Sequence, residues 1–221
     1  MKRVLFSFFS LVVVIVGYSQ NFQFPKNADG EYEFSEVVES NLSKETLFAN
    51  ATSWAIKFYE DSGYKNVVQL ESESDGRLVI KDYDAVIFKC KVKNETELRT
   101  EKIYYTLAID CKDNKYRYVI NEIKIKSQSS SSRFSLIGID IEWDVNHEAR
   151  LETINKLKHD KKVLETQMQH VKGRKLSKTQ KQLDEINEQI KMETEVYNEE
   201  FNVFDRLINS LKKKMSTNNG F

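Results

Sequence analysis

"EKIYYTLAIDCKDNKYRYVINEIKIK", Glu101 to Lys126, decides the fold. Ile103, Tyr105, Leu107 and Ile109 recur at every second residue, the period of a strand with one buried face. "DN" then supplies a turn, and "KYRYVINEIKIK" returns as a second strand.

The same alternation extends upstream. "AVIFKCKVK" sets Val86, Phe88, Cys90 and Val92 on one face, "RLVIK" follows a "DG" turn, and "YKNVVQLESES" precedes it. Polar alternates such as Lys89, Lys91, Thr106 and Asp110 leave one face of the sheet to solvent. A hairpin turn near Asn94 to Leu98 places Cys90 opposite a residue near Ile103 and away from Cys111. The two cysteines therefore read as buried free thiols more readily than as a disulfide.

Before the strands, "SNLSKETLFANATSWAIKFYEDSG" reads as a helix. Ser43 suits the N-cap, because its hydroxyl accepts from a free backbone N–H of the first turn. Leu47, Ala51, Trp54 and Phe58 form one apolar stripe, with Trp54 expected in the core, and Gly63 is expected to end the helix. "YEFSEVVE" ahead of it reads as a strand, and "NFQFPKNADG" as an irregular lead-in. The class is α+β: strand, helix, then an antiparallel sheet. "FSLIGIDIEWD" alternates again, with Ile137, Ile139, Ile141 and Trp143 on one side, as an expected edge strand.

Several of these stretches resemble an exported bacterial family, domain of unknown function 4468, which has a TBP-like fold. The resemblance rests on the "VVE…SKETL" entry to the helix, Trp54, the "GRLVI" strand after its turn and the "DNKYR" hairpin, over roughly residues 32–126. It implies the same strand–helix–sheet order. The family has no known activity, so it supplies no site residues.

The chain begins with Lys2 and Arg3, then an apolar run from Val4 to Val16, then Gly17, Tyr18, Ser19 and Gln20. Roughly 20 apolar residues are needed to span a bilayer, and this run is shorter. It reads as a secretory signal peptide over residues 1–19, cut near Ser19 or Gln20. No cysteine follows closely, so no lipid anchor is expected; the protein would work in the periplasm or cell envelope.

Residues 20–144 form the expected TBP-like domain, residues 145–215 an antiparallel helical hairpin, and residues 216–221 a disordered tail. In "QHVKGRKLSKTQKQL", Gly173 is expected to end the first helix, with Ser177 and Gln180 as a capping box for the second. Folded back, the stripes pair Val171 with Leu183, Met168 with Ile186, Leu164 with Ile190, Leu157 with Tyr197 and Ile154 with Phe201. Lys161 and Glu193 interrupt the two stripes opposite each other, either as a part-buried ion pair or as side chains reaching separately to water. The second stripe outruns its partner after Phe204, so Ile208, Leu211 and Met215 are expected to clamp onto the sheet.

Composition narrows the function. Residues 20–144 carry 17 basic and 22 acidic side chains, and residues from 145 onward carry 15 and 12. Neither part has the basic excess of a nucleic-acid binder. His147, His159 and His170 are too widely spaced along the tail to share a metal, and no histidine lies in the expected sheet domain. No phosphate loop, catalytic constellation or cofactor motif is visible. The expectation is a non-enzymatic binding or assembly module of the cell envelope, without cofactor or metal. Its partner would be an envelope protein or a second copy held through the helical tail. The alternative is a small-ligand binder or carboxylate-dependent hydrolase with a cleft between sheet and helices. One surface patch stands out: Lys172, Arg174, Lys175, Lys178 and Lys181 around the hairpin turn, with no acid among them.

Overall fold

The computed structural model describes residues 24–92, 95–129 and 142–217. The expected signal peptide and the alternation from Ile137 to Ile141 lie outside them. The sheet is antiparallel: β1 (Phe34–Glu39), β2 (Val68–Ser72), β3 (Arg77–Val92), β4 (Glu95–Lys112), β5 (Lys115–Ser129) and β6 (Glu142–Val145). The strand order is β1-β5-β4-β3-β2, with β6 also paired to β5.

The quoted hairpin forms as its alternation demands. Lys112 pairs with Lys115 across Asp113 and Asn114, and Asn114 adopts φ 62°, a conformation Asn tolerates. Ile103, Leu107 and Ile109 are fully buried on one face of β4. The two upstream stretches "RLVIK" and "AVIFKCKVK" are one strand, because no Gly or Pro interrupts them. Pairing with β4 runs unbroken from Arg77–Asp110 to Val92–Glu95. Cys90 consequently faces Glu97 rather than a residue near Ile103. Both cysteines are buried free thiols. Gly76 turns β2 into β3 at φ 65°, and an added Cβ would meet the Cys111 carbonyl oxygen at 2.5 Å, so only glycine fits.

Helix α1 (Lys44–Phe58) starts at Ser43, whose hydroxyl accepts from Thr46 N–H as expected. Leu47, Ala51 and Trp54 are buried, but Phe58 is partly exposed and Tyr59 takes the inward place. The helix ends at Tyr59, not at Gly63, which instead precedes a single turn, α2 (Tyr64–Val67).

The tail folds as α3 (His147–Met168) and α4 (Arg174–Met215). Gly173 stands before α4 as its N-cap, and Ser177 lies inside the first turn, so the expected Ser177–Gln180 capping box is absent. Val171 falls in the connection, beyond the end of α3. The last turns of α4 cover the inner face of the sheet. Phe204, Leu207, Leu211 and Met215 join Trp54, Leu78, Ile80, Leu107 and Ile120 in one core. The clamp begins earlier than Ile208: Phe204 lies against Phe24, Phe34 and Tyr105, where the expected pairing set it opposite Leu151. Asn50 Nδ2 donates to the Thr217 carbonyl, so the chain is tied down through residue 217.

Candidate functional site

Where the hairpin meets the sheet, five ionisable side chains converge. Glu101 points inward from β4, in register with Ile103 and Tyr105. Asn146 caps α3 through hydrogen bonds from Glu148 N–H and Ala149 N–H, which sets His147 and Arg150 on the turn facing β4 and α4. Glu193 and Glu200 lie seven residues apart on one face of α4.

Arg150 is the hub. Its Nε donates to Glu200 Oε1 at 3.0 Å, Nη1 to Glu193 Oε2 at 2.5 Å and Nη2 to Glu101 Oε1 at 2.5 Å. The guanidinium fork suits this, because its five N–H donors lie in one plane. Three elements, β4, α3 and α4, are thereby joined by one side chain. His147 Nδ1 makes a short hydrogen bond with Glu200 Oε2. The imidazole is stacked between Phe24, 3.8 Å between ring centroids, and Tyr197, 4.2 Å.

Burial controls the protonation of this cluster. It pushes Glu101 up to about 7, against the opposing charge of Arg150. Burial raises Glu200 too, and Glu101 and Glu200 lie close enough to share a proton. Burial and then the Arg150 charge push His147 down to about 4. Burial also works against the charge on Arg150, but Glu200, Glu101 and Glu193 outweigh it and hold its pKa above the usual value. At neutral pH the site is thus a charged Arg150 beside a part-protonated Glu101 and a neutral imidazole.

Of the two readings for Lys161 and Glu193, the mutual ion pair does not form. Glu193 turns to Arg150, while Lys161 pairs with Glu165 one turn along its own helix. His147 and Arg150 meet residues 193–200, whereas the expected pairing, with Leu151 opposite Phe204, places them opposite residues 208 and 205. The buried charges displace the register toward the start of α4.

Lys172, Arg174, Lys175, Lys178 and Lys181 are all exposed around the hairpin turn, far along the chain from the cluster. Lys181 pairs loosely with Glu185 at 3.9 Å. The distal hairpin is thinly packed: α3 buries no residue after Ile154, and α4 buries only Thr179 before Val196. A cleft of about 420 Å³ lined by Val163, Leu164, Gln182 and Ile186 opens between the two helices.

The arrangement holds elements together and offers no open chemistry. The three carboxylates converge on an internal guanidinium instead of on a cavity. His147 forms part of the wall of an open cleft of about 1150 Å³ but is only 1% exposed. No group of side chains among the described residues is arranged to hold a metal ion. No helix among them is long and apolar enough to cross a membrane.

Sequence reasoning missed Arg150, Glu101 and Glu200. A signal was present: Glu101 occupies an inward position of a period-two stripe, and Glu200 falls among Val196, Tyr197 and Phe204 on the apolar face of α4. Two carboxylates in apolar register ask for a buried cation.

No curated protein matches the chain. A crystal structure of a DUF4468 family protein from Bacteroides ovatus ATCC 8483 is similar at 14% identity and a TM-score of 0.38, over 55% of this chain and 64% of that one. The chain therefore spans just under two thirds of that protein's length. A crystal structure of a TBP-like protein from Parabacteroides distasonis ATCC 8503 is similar at 18% identity and a TM-score of 0.35, over 54% of this chain and 69% of the other. Residues 34–126, from β1 almost to the end of β5, match the family described as domain of unknown function (DUF4468) with TBP-like fold.

Proposed function

We propose that the protein is an exported, non-enzymatic binding or assembly module of the bacterial cell envelope. The sheet domain is the scaffold and the helical hairpin the arm that reaches a partner. The observation that carries this reading is the use of the converging carboxylates. Glu101, Glu193 and Glu200 all bind Arg150, so these converging carboxylates fix the arm. Export is supported by the basic start and short apolar run from Lys2 to Val16. The contact surface is the exposed basic tip, Lys172, Arg174, Lys175, Lys178 and Lys181, whose charge suits an anionic envelope surface.

The test uses protein purified from the cell envelope and vesicles containing phosphatidylglycerol. The reading expects a chain starting near Asn21 that co-sediments with vesicles at low salt, and a variant with all five tip residues changed to Gln that stays in solution. A chain retaining Met1 removes export by cleavage. Wild-type protein that ignores the vesicles removes the tip contact.

A further inference from the structure

A groove of about 700 Å³ runs from the β3 edge, where Val67, Asp82 and Tyr105 line it, across the outer face of the sheet, away from the Arg150 cluster. It starts beside α2, at the edge of β3 that β2 leaves uncovered beyond Ile80, and passes over Tyr83 and Tyr104 to Lys124 and Lys126 on β5. That volume is in the usual range for ligand sites. Tyr83 and Tyr104 are direct cross-strand partners with ring centroids 5.3 Å apart, and Tyr83 is 46% exposed. Lys102 lies over the Tyr83 ring and Lys126 over the Tyr104 ring.

A second, independent feature marks the same place. The register of β5 against β4 slips between Tyr104 and Thr106, which makes a bulge at Glu122 and Ile123. Glu122 has φ 52°, in the left-handed region that glycine or asparagine occupies more easily. The bulge turns its carboxylate onto the outer face, where it accepts from Lys81 Nζ and Thr106 Oγ1, each at 2.7 Å. These two partners hold Glu122 below the usual carboxylate range, so it is charged at neutral pH. A carboxylate kept in a strained backbone position in the middle of a groove is the kind of outlier that points to a ligand.

We propose that this groove binds an oligosaccharide, with sugar rings lying against Tyr83 and Tyr104 and sugar hydroxyls donating to Glu122. The chemistry selects this class. On the outer face the groove offers one carboxylate acceptor, Glu122, among the donors Lys81, Lys124 and Lys126. A chain of phosphates brings acceptors alone and has no donor to offer Glu122. A purely apolar ligand takes water from Glu122 and the lysines and gives them no hydrogen bond in return. A sugar carries a donor and an acceptor on each hydroxyl and an apolar ring face for the tyrosines.

The experiment is an array of neutral and uronate-containing oligosaccharides, followed by titration of the strongest binder and of a single-stranded oligonucleotide. Wild-type protein should bind at least one saccharide saturably and the oligonucleotide more weakly. The Tyr83→Ala/Tyr104→Ala double variant and Glu122→Gln should each bind that saccharide roughly tenfold more weakly or worse, a factor readily resolved by titration. Glu122→Gly should lose binding while its melting temperature holds or rises, because glycine relieves the strained φ. No saturable saccharide on the array overturns the proposal. So does undiminished binding by the two side-chain variants, or preference for the oligonucleotide.

Discussion

Arg150 has five donors, and the three carboxylates it binds come from β4 and α4. Removing one partner of a buried ion pair is costly because the other charges stay buried. Arg150→Met should therefore destabilise the protein by about 3–5 kcal/mol at neutral pH, read by urea denaturation. Mild acid should restore part of that loss, since protonation neutralises the stranded carboxylates. A loss below about 1 kcal/mol would mean that the cluster is solvated. The pH behaviour of the wild type has two opposed parts. Glu101, raised to about 7, contributes stability that is present below its unfolded pKa and lost as pH rises through about 7. His147, lowered to about 4, contributes stability that is present above its unfolded pKa of about 6.5 and lost as pH falls toward 4. Between roughly pH 4.5 and 6.5 the two slopes oppose each other. Glu101→Gln removes one of them, so its stability should climb with pH across that window more steeply than the wild type's. Equal slopes would show that Glu101 keeps an ordinary carboxylate pKa. Trp54 is 4% exposed and donates from Nε1 to Ser210 Oγ at 2.9 Å. Trp54→Ala should cost about 3–5 kcal/mol in the same assay.

At the scale of elements, the last turns of α4 act as the lid of the sheet domain. Leu211 and Met215 are at most 1% exposed and sit in the same core as Leu78 and Ile120. Truncation before Ile208 should lower the melting temperature of the whole protein and expose the inner face of the sheet to a hydrophobic dye. An unchanged melting temperature would make the α4 contact incidental. This clamp was legible in the sequence, because an apolar stripe that outruns its partner must find another surface. The sheet was legible too, since period two survives in β3, β4 and β5. What the sequence concealed is where charge overrides periodicity. Apolar positions alone suggest one hairpin register, yet Arg150, Glu193 and Glu200 meet in another, because a buried charge must meet its counter-charge. The joining of "RLVIK" and "AVIFKCKVK" into one strand was hidden for a milder reason. Asp82 and Asp84 have low strand propensity, but the pairing with β4 overrides it.

For the whole molecule, two parts of unlike firmness share the long helix α4. From Val196 onward it belongs to the core of the sheet domain; before that it packs with α3 in a thin, partly open seam. The Arg150 cluster sits at the boundary and fixes the angle at which the arm leaves the body. The outer face of the sheet and the basic tip are both turned to solvent; the first is the proposed sugar site and the second the proposed contact with an anionic surface. The rigid joint is the central claim, and a distance measurement tests it directly. Spin labels go on Lys175→Cys at the tip and Lys115→Cys on β5, both exposed, while the native Cys90 and Cys111 are buried. Pulsed electron–electron resonance at neutral pH should give one narrow distance distribution, and adding Arg150→Met should broaden it while the sheet stays folded. A distribution already broad with Arg150 in place, or equally narrow without it, would contradict the account.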